Sequence, residues 1–395
     1  ALKLCVARVI RYERTDSIWG EDMSARATPP FRADQVGSLI RPQALLDARD
    51  AAKAGQITPE KLIEIQQAAI RDVVRKQEEI GLKVVTDGEF NRFSWQRDFL
   101  LKIKNVAPAE SKLNVRFHSK AGARDHKPPT LEAKGKISRP GAMFADDFAY
   151  LASIAKATPK VTMPSPTVLH FRGGRSSIDE AAYPQMETFF ADLAQVYREE
   201  LSDLYAKGCR YAQLDEVNLA YLCDPVLREQ AANFGEDPNA LPQTYARLIN
   251  DCISNLPQDM TICMHLCRGN FAGAWIAEGG YEPVADLLFN QVNVTGYFLE
   301  YDSARAGGFE PLRFLPKGKV AVLGLVTTKS AEMESRDDIL RRIEEASKFT
   351  SLDQLAWSAQ CGFSSGIGGE TMTIERQFEK LQMIVDIAKE VWGSA

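Results

Sequence analysis

The sequence predicts an α/β chain folded as a (β/α)8 TIM barrel with a long basic insertion after its second strand. Three observations lead there. Short apolar runs alternate with long amphipathic segments along the chain, the pattern of a parallel sheet wrapped by helices. Eight such runs are present, the number that closes a barrel. The glycine fingerprint GxGxxG, which would mark an open doubly wound sheet, is absent after the first run.

The elements follow in order. Strands are expected at residues 34–39, 83–87, 160–163, 211–215, 261–265, 295–300, 319–325 and 355–360. Helical periodicity covers 59–80, 184–207, 242–256, 281–288, 336–348 and 373–392. Pro59 after Thr58 opens a helix, as does Thr373 ahead of Ile374. Gly81 and Gly208 end theirs in left-handed caps and turn the chain into the next strand. Residues 101–140, between the second and third strands, are too polar for core and carry ten Lys/Arg against three acids. In a barrel this connection opens on the active face. It is expected either to form a basic lid over an anionic substrate or to stand as a solvated hairpin.

Composition narrows the functional classes. The chain has 395 residues and a net charge of −5, which disfavours nucleic acid and anionic membranes as partners. No run of eighteen apolar residues is present to span a bilayer. Seven Cys, an odd number in a long chain, read as reduced thiols in a cytoplasmic protein. Residues 1–31 read as an N-terminal extension, partly disordered, with Met23 as a natural start, and 32–395 as one catalytic barrel. A homo-oligomer is compatible with the sequence, which leaves the oligomeric state open.

Barrel chemistry sits at the carboxyl ends of the strands. Here those ends read Gly37-Ser38, Asp87-Gly88-Glu89, Asp215-Glu216, His265-Leu266-Cys267, Glu300, Thr327-Thr328-Lys329 and Cys361. His265 and Cys267 lie two apart at the end of an apolar run, so they share one face of a strand. With Cys361 arriving from a later strand, they make a zinc constellation. A zinc finger is excluded, because neither end has a CxxC partner. Glu300 completes the ligand set, with Asp302 on the same side of the strand as its rival. A lone strand-end His is usually a core residue, and the pairing with Cys267 is what argues against that here. Cys263, one pleat deeper, reads as core. Cys209, Cys223 and Cys252 read as structural, and Cys5 falls in the extension.

Two thiolates, a carboxylate and an imidazole would leave a zinc site with excess negative charge. Such a site activates water poorly, because zinc hydrolases use neutral or singly anionic ligand sets. It suits holding an incoming thiol as a reactive thiolate that attacks an alkyl carbon. If the thiol displaces Glu300, no new charge is buried. Asp215, ending a buried run, needs a cation, and an amino-acid ammonium would serve. Glu89 stands in the same kind of sequence; helix capping is the alternative for both acids. Arg172-Gly173-Gly174-Arg175 and the glycine-rich 364–369 are candidates for binding a carboxylate, phosphate or sulfonate.

Taken together, Val36-Gly37-Ser38, Thr86-Asp87-Gly88-Glu89, Gln213-Leu214-Asp215-Glu216, His265-Leu266-Cys267, Leu299-Glu300-Tyr301-Asp302 and Gln360-Cys361-Gly362-Phe363 resemble the cobalamin-independent methionine synthase family over residues 32–392. The match is to its short, single-barrel branch, which is also similar to epoxyalkane–coenzyme M transferases. The resemblance implies a zinc-dependent methyltransferase barrel with the metal on His265, Cys267, Glu300 and Cys361. It places homocysteine contacts at Ser38, Glu89 and Asp215. Full methionine synthases are much longer, and their second barrel helps hold a polyglutamylated methylfolate, so here the donor is open. The family carries a His after the seventh strand where this chain has Val326-Thr327-Thr328-Lys329, so protonation of the leaving amine passes to Lys329 or to water, or is not needed. Asp-Glu-Pro after the fourth strand reads Asp215-Glu216-Val217.

The expected activity is zinc-dependent methyl transfer to a small thiol, homocysteine to methionine. Two alternatives stand beside it. One is alkyl transfer from an epoxide or other electrophile to another thiol such as coenzyme M, with the basic insertion, Arg172 and Arg175 binding the anion; the other is a barrel that binds zinc and thiol without turnover.

Overall fold

The computed structural model describes residues 25–119, 122–270, 273–364 and 371–395. The expectations for Met23, for Cys5 and for most of the stretch 364–369 fall outside the described residues.

In chain order the strands are β1 (Val84–Val85), β2 (Lys104–Ala109), β3 (Val115–Ser119), β4 (Gly122–His126), β5 (Thr130–Ser138) and β6 (Thr158–Pro159). They continue with β7 (Val161–Pro164), β8 (Tyr211–Glu216), β9 (Thr261–Leu266), β10 (Gly296–Glu300), β11 (Val320–Val326) and β12 (Leu355–Ala359). β7 to β12 lie side by side, in chain order, as one parallel sheet. β1 pairs parallel with β6, and Ala33 bridges Trp357 of β12 in parallel, so the two ends of the sheet meet. This is the predicted TIM barrel. Its register sets Asp215 opposite His265 and Phe298 opposite His265, which brings the strand ends to one level. Side chains alternate along each strand. Val84, Tyr211, Cys263, Phe298, Val322 and Ala356 accordingly form one cluster with Phe31 and Val36.

The helices match the predicted periodicity closely: Pro59–Glu79, Met186–Ala206, Leu241–Cys252, Glu282–Gln291, Arg336–Ala346 and Ile374–Trp392. Thr58 and Thr373 cap their helices through side-chain oxygens, and Gly81 and Gly208 take φ of 90° and 93°. Helices Gln43–Lys53, Ala145–Ile154 and Pro225–Asn233 were not anticipated. The second has its first N–H groups taken by a distant acid: Glu200 accepts from Met143, Phe144 and Ala145. No local motif announces such a cap.

Two expectations need correction. The first predicted strand, 34–39, is not a ladder. It makes one bridge at Ala33 and then turns at Gly37, whose φ is 140°. A Cβ there would meet Thr162 Cγ2 at 2.6 Å, so this close crossing requires glycine. The insertion, in turn, is not excluded from the core. β2 pairs with β5 and β3 with β4, both antiparallel, and Leu113, Val115, Leu131, Ala133 and Ile137 are buried. None of its described cations lines the cavity at the barrel mouth: Arg116 pairs with Asp125 and Lys134 with Glu132 at the surface, and Arg139 turns to Glu200. Alternation hid this, because half the residues of each strand face solvent. The β3–β4 hairpin is tied to the barrel through His118, which exchanges backbone hydrogen bonds with Trp275. Among the described residues no helix is long and apolar enough to cross a membrane.

Candidate metal centre

β9 delivers His265 to the barrel mouth, and Cys267 follows two residues on. The Cys267 N–H donates to Glu216 O at 2.8 Å, which keeps the chain extended past the strand end. β10 ends at Glu300, and Cys361 stands two residues beyond β12. Ligand atoms of His265, Cys267, Glu300 and Cys361 all lie within 4.8 Å of one another; His265, Glu300 and Cys361 are buried and Cys267 is partly so. The two sulfurs are 3.7 Å apart. That is far beyond a disulfide length of about 2.05 Å. It matches the separation of about 3.8 Å between two sulfurs on tetrahedral zinc with Zn–S near 2.3 Å. Asp302 is not in the group; it pairs with Arg305.

The electrostatics ask for a cation. Burial opposes charging of His265, yet Asp215, at 3.7 Å from Nδ1, together with Cys361 and Glu300, lifts its pKa to about 9. The Cys267 thiol beside Cys361 lowers the latter to about 7, helped by His265, while Cys267 itself is pushed well up. One proton is thus shared between two sulfurs, and another sits on the imidazole, where a divalent ion would stand in a loaded site. Soft sulfur with nitrogen and one carboxylate at these separations fits zinc. Glu300 is held from behind. Its Oε1 accepts from the Arg268 N–H at 3.0 Å, and its Oε2 lies 3.1 Å from Arg305 and 4.0 Å from Lys329 Nζ. These cations keep the Glu300 carboxyl below its usual range against the effect of burial.

A cavity of about 370 Å³ opens over His265, Cys267 and Cys361, while Glu300 stands outside its lining. Its floor includes Ser38, Glu89, Asp215, His265, Cys267 and Cys361; its outer wall includes Phe93, Trp95, Phe117, Pro129, Arg172 and Ile276. The four residues expected to touch substrate therefore converge on one space. Glu89, at a φ of 63°, pairs with Arg92 at 2.7 Å and accepts from Thr162. Burial pushes its carboxyl up against the pull of Arg92, and Asp215 pushes the same way. Asp215 Oδ1 accepts from Gln213 Nε2 at 2.7 Å. Capping of the next turn falls to Glu216, which accepts from the N–H groups of Asn218 and Leu219. Asp215 is thereby left to face the cavity. Lys329 lies behind Glu300 and is not part of the cavity wall. Arg175 donates to the carbonyls of Ile178 and Tyr183 and does not reach the cavity. None of the insertion's described lysines and arginines lines it; Phe117, His126, Pro128 and Pro129 do.

Sequence reasoning missed Arg92 and Arg305, which pair with the acids, the backbone N–H of Arg268 on Glu300, and the aromatic wall of Trp95 and Phe117. The i, i+3 spacing of Glu89 and Arg92 was the one available signal. The aromatic residues sit in polar stretches and gave none.

Comparison with known proteins agrees with this geometry. Residues 31–390 match the family described as "Cobalamin-independent synthase, Catalytic domain". Two relatives from Bacillus subtilis (strain 168) are similar along nearly their whole length. The uncharacterized protein YxjG is 44% identical over 93% of this chain and 96% of its own. The uncharacterized protein YxjH is 42% identical over 95% and 98%. A crystal structure of a putative vitamin-B12 independent methionine synthase from Listeria monocytogenes superposes with a TM-score of 0.74 at 35% identity, covering 93% of this chain and 100% of that one. With its match spanning almost every described residue of the barrel, the chain belongs to the cobalamin-independent synthase family, as a catalytic domain of that type.

Proposed function

We propose that this protein is a zinc enzyme that transfers a methyl group to a small thiol, homocysteine, to give methionine. The observation that carries the reading is the Cys267–Cys361 pair at 3.7 Å, joined by His265 and Glu300 and open to a cavity walled by Asp215 and Glu89. Zinc, when bound by His265, Cys267, Glu300 and Cys361, would hold the thiol as a nucleophilic thiolate.

The remaining work belongs to the chain. Asp215 and Glu89 take the ammonium, and Ser38 at the cavity floor takes the carboxylate end. Gln213 holds Asp215 in place from below. Arg305 and Lys329 hold the Glu300 carboxylate, so that its charge stays compensated if the thiol takes its place. The cavity brings thiol and donor into line. A sulfur–carbon bond forms as the bond from the methyl carbon to the donor heteroatom breaks. The electron pair stays on that heteroatom, which takes up a proton. In this reading Lys329 stabilises Glu300 and the proton reaches the donor from water, because Lys329 is outside the cavity wall. The methyl donor is a small molecule such as a methylated folate.

Exhaustive chelation should abolish methyl transfer, and added zinc should restore it. Full turnover by metal-free protein would overturn the proposal. Arg172 in the wall supports a second reading, a sulfonated thiol such as coenzyme M alkylated by an epoxide. Assaying homocysteine and coenzyme M side by side separates the two.

A further inference from the structure

We infer that Arg172 is the receptor for an oxyanion carried by the second substrate, so that the methyl donor is a flat, apolar molecule with a carboxylate, sulfonate or phosphate. The inference rests on the thiol-alkylation reading above and names the class of its donor.

Arg172 is 6% exposed and lines the cavity. Its Nη1 donates to the carbonyl of Pro129 at 2.7 Å, and its Nε has no hydrogen-bond partner. Among the described residues no acid pairs with it. Arg268 is also buried with no hydrogen-bond partner on its guanidinium, but it lies over the Tyr281 ring and does not line the cavity; the other arginines near the site differ. Arg92 is neutralised by Glu89 at 2.7 Å and Arg305 by Glu300 at 3.1 Å. Arg97, the second arginine of the wall, is half-exposed and solvated. A buried guanidinium without a counter-ion is costly, and the cost is recovered when an anion binds it. Burial also pulls the Arg172 pKa down, the sign of a cation short of compensation. The planar guanidinium fork suits an oxyanion.

Position assigns that anion to the donor. The thiol's sulfur belongs beside Cys267 and Cys361, and its ammonium beside Asp215, 3.7 Å from His265. Arg172 stands in the outer wall, with its guanidinium 5.9 Å from the Trp95 ring centre and bonded to the insertion at Pro129. The same cavity is lined by Trp95, Phe117, Pro128 and Ile276, a surface for a flat apolar body. At about 370 Å³ the cavity is at the small end for ligand sites, so thiol and donor together fill it only if the donor is compact.

The test uses the zinc-loaded full chain saturated with homocysteine. Indole-3-acetate and its neutral amide, indole-3-acetamide, are titrated in calorimetrically. The acid is expected to bind about tenfold or more tightly than the amide, the worth of one charge-assisted hydrogen bond. Arg172→Met should erase that preference while zinc content and homocysteine affinity stay unchanged; Arg172→Lys should keep part of it. Equal binding of acid and amide by the parent protein, or no binding of either, overturns the inference. So does a Met variant that loses homocysteine or coenzyme M affinity, because the cation would then serve the thiol. A parent protein that binds neither zinc nor homocysteine would instead sink the underlying reading, which these titrations record separately.

Discussion

At the residue scale, the charges of the metal centre determine how it responds to pH. His265 carries a proton up to about pH 9 in the metal-free chain, and Cys267 holds its own well above the ordinary thiol range. A metal must displace both. Zinc uptake at pH 7 should therefore release about two protons, read by calorimetry in buffers of different ionisation heat. Release of none would mean that the metal binds elsewhere. The raised pKa of His265 also fixes the sign of its effect on the metal-free fold. A proton bound more tightly by the folded state adds stability that is complete below the unfolded value of about 6.5. That stability is lost as pH rises through about 9. Melting of the metal-free protein should fall between pH 7 and pH 10, while zinc-loaded protein lacks this component. Asp215 gives a second prediction. Asp215→Asn should raise KM for homocysteine by about tenfold to a hundredfold, the worth of a charge-assisted contact. It should change little for an analogue lacking the amine. An equal loss for both thiols would argue that Asp215 acts through His265 instead.

At the element scale, connections as well as strands build the site. The insertion was legible as a polar interruption with ten cations, expected to be either a basic lid or a solvated hairpin. In the fold it is two antiparallel pairs, whose apolar residues join the core and whose Phe117, His126 and Pro129 roof the cavity. A lid was legible; which face of it the substrate meets was not, because facing is decided by pairing register. Glu200 shows the same limit. It lies in helix Met186–Ala206 with no exposure, four residues after Val196 and three after Tyr197 on the buried stripe, although a Glu is ordinarily solvated. Instead it accepts from three backbone N–H groups and pairs with Arg139 at 2.8 Å. Glu200→Ala would strand those donors and a nearly buried guanidinium, so a loss of about 3–5 kcal/mol is expected by urea unfolding. A change under about 1 kcal/mol would show that water replaces the carboxylate freely.

At the scale of the whole molecule, the candidate ligands span the barrel's wall. His265 and Cys267 come from the end of β9, Glu300 from β10 and Cys361 from beyond β12. A metal there fastens strands far apart in the chain and binds only the folded form. Zinc at a thousand times its Kd should add about 4 kcal/mol to the free energy of unfolding. Chelation should lower Tm accordingly; an unchanged Tm would place the metal outside the folded barrel.

Local information was enough for much of this protein. Apolar spacing specified the alternation of strands and helices, and residue type at the strand ends picked out His265, Cys267, Glu300 and Cys361. Both are properties of short stretches, and the parallel architecture turns them into one rim. Only the tertiary structure decided that Lys329 stands behind Glu300, that Arg92 answers Glu89, and that Arg172 is buried without an acid. Partnership between charges depends on distances across strands and loops remote in sequence, and those distances exist only once the barrel has closed.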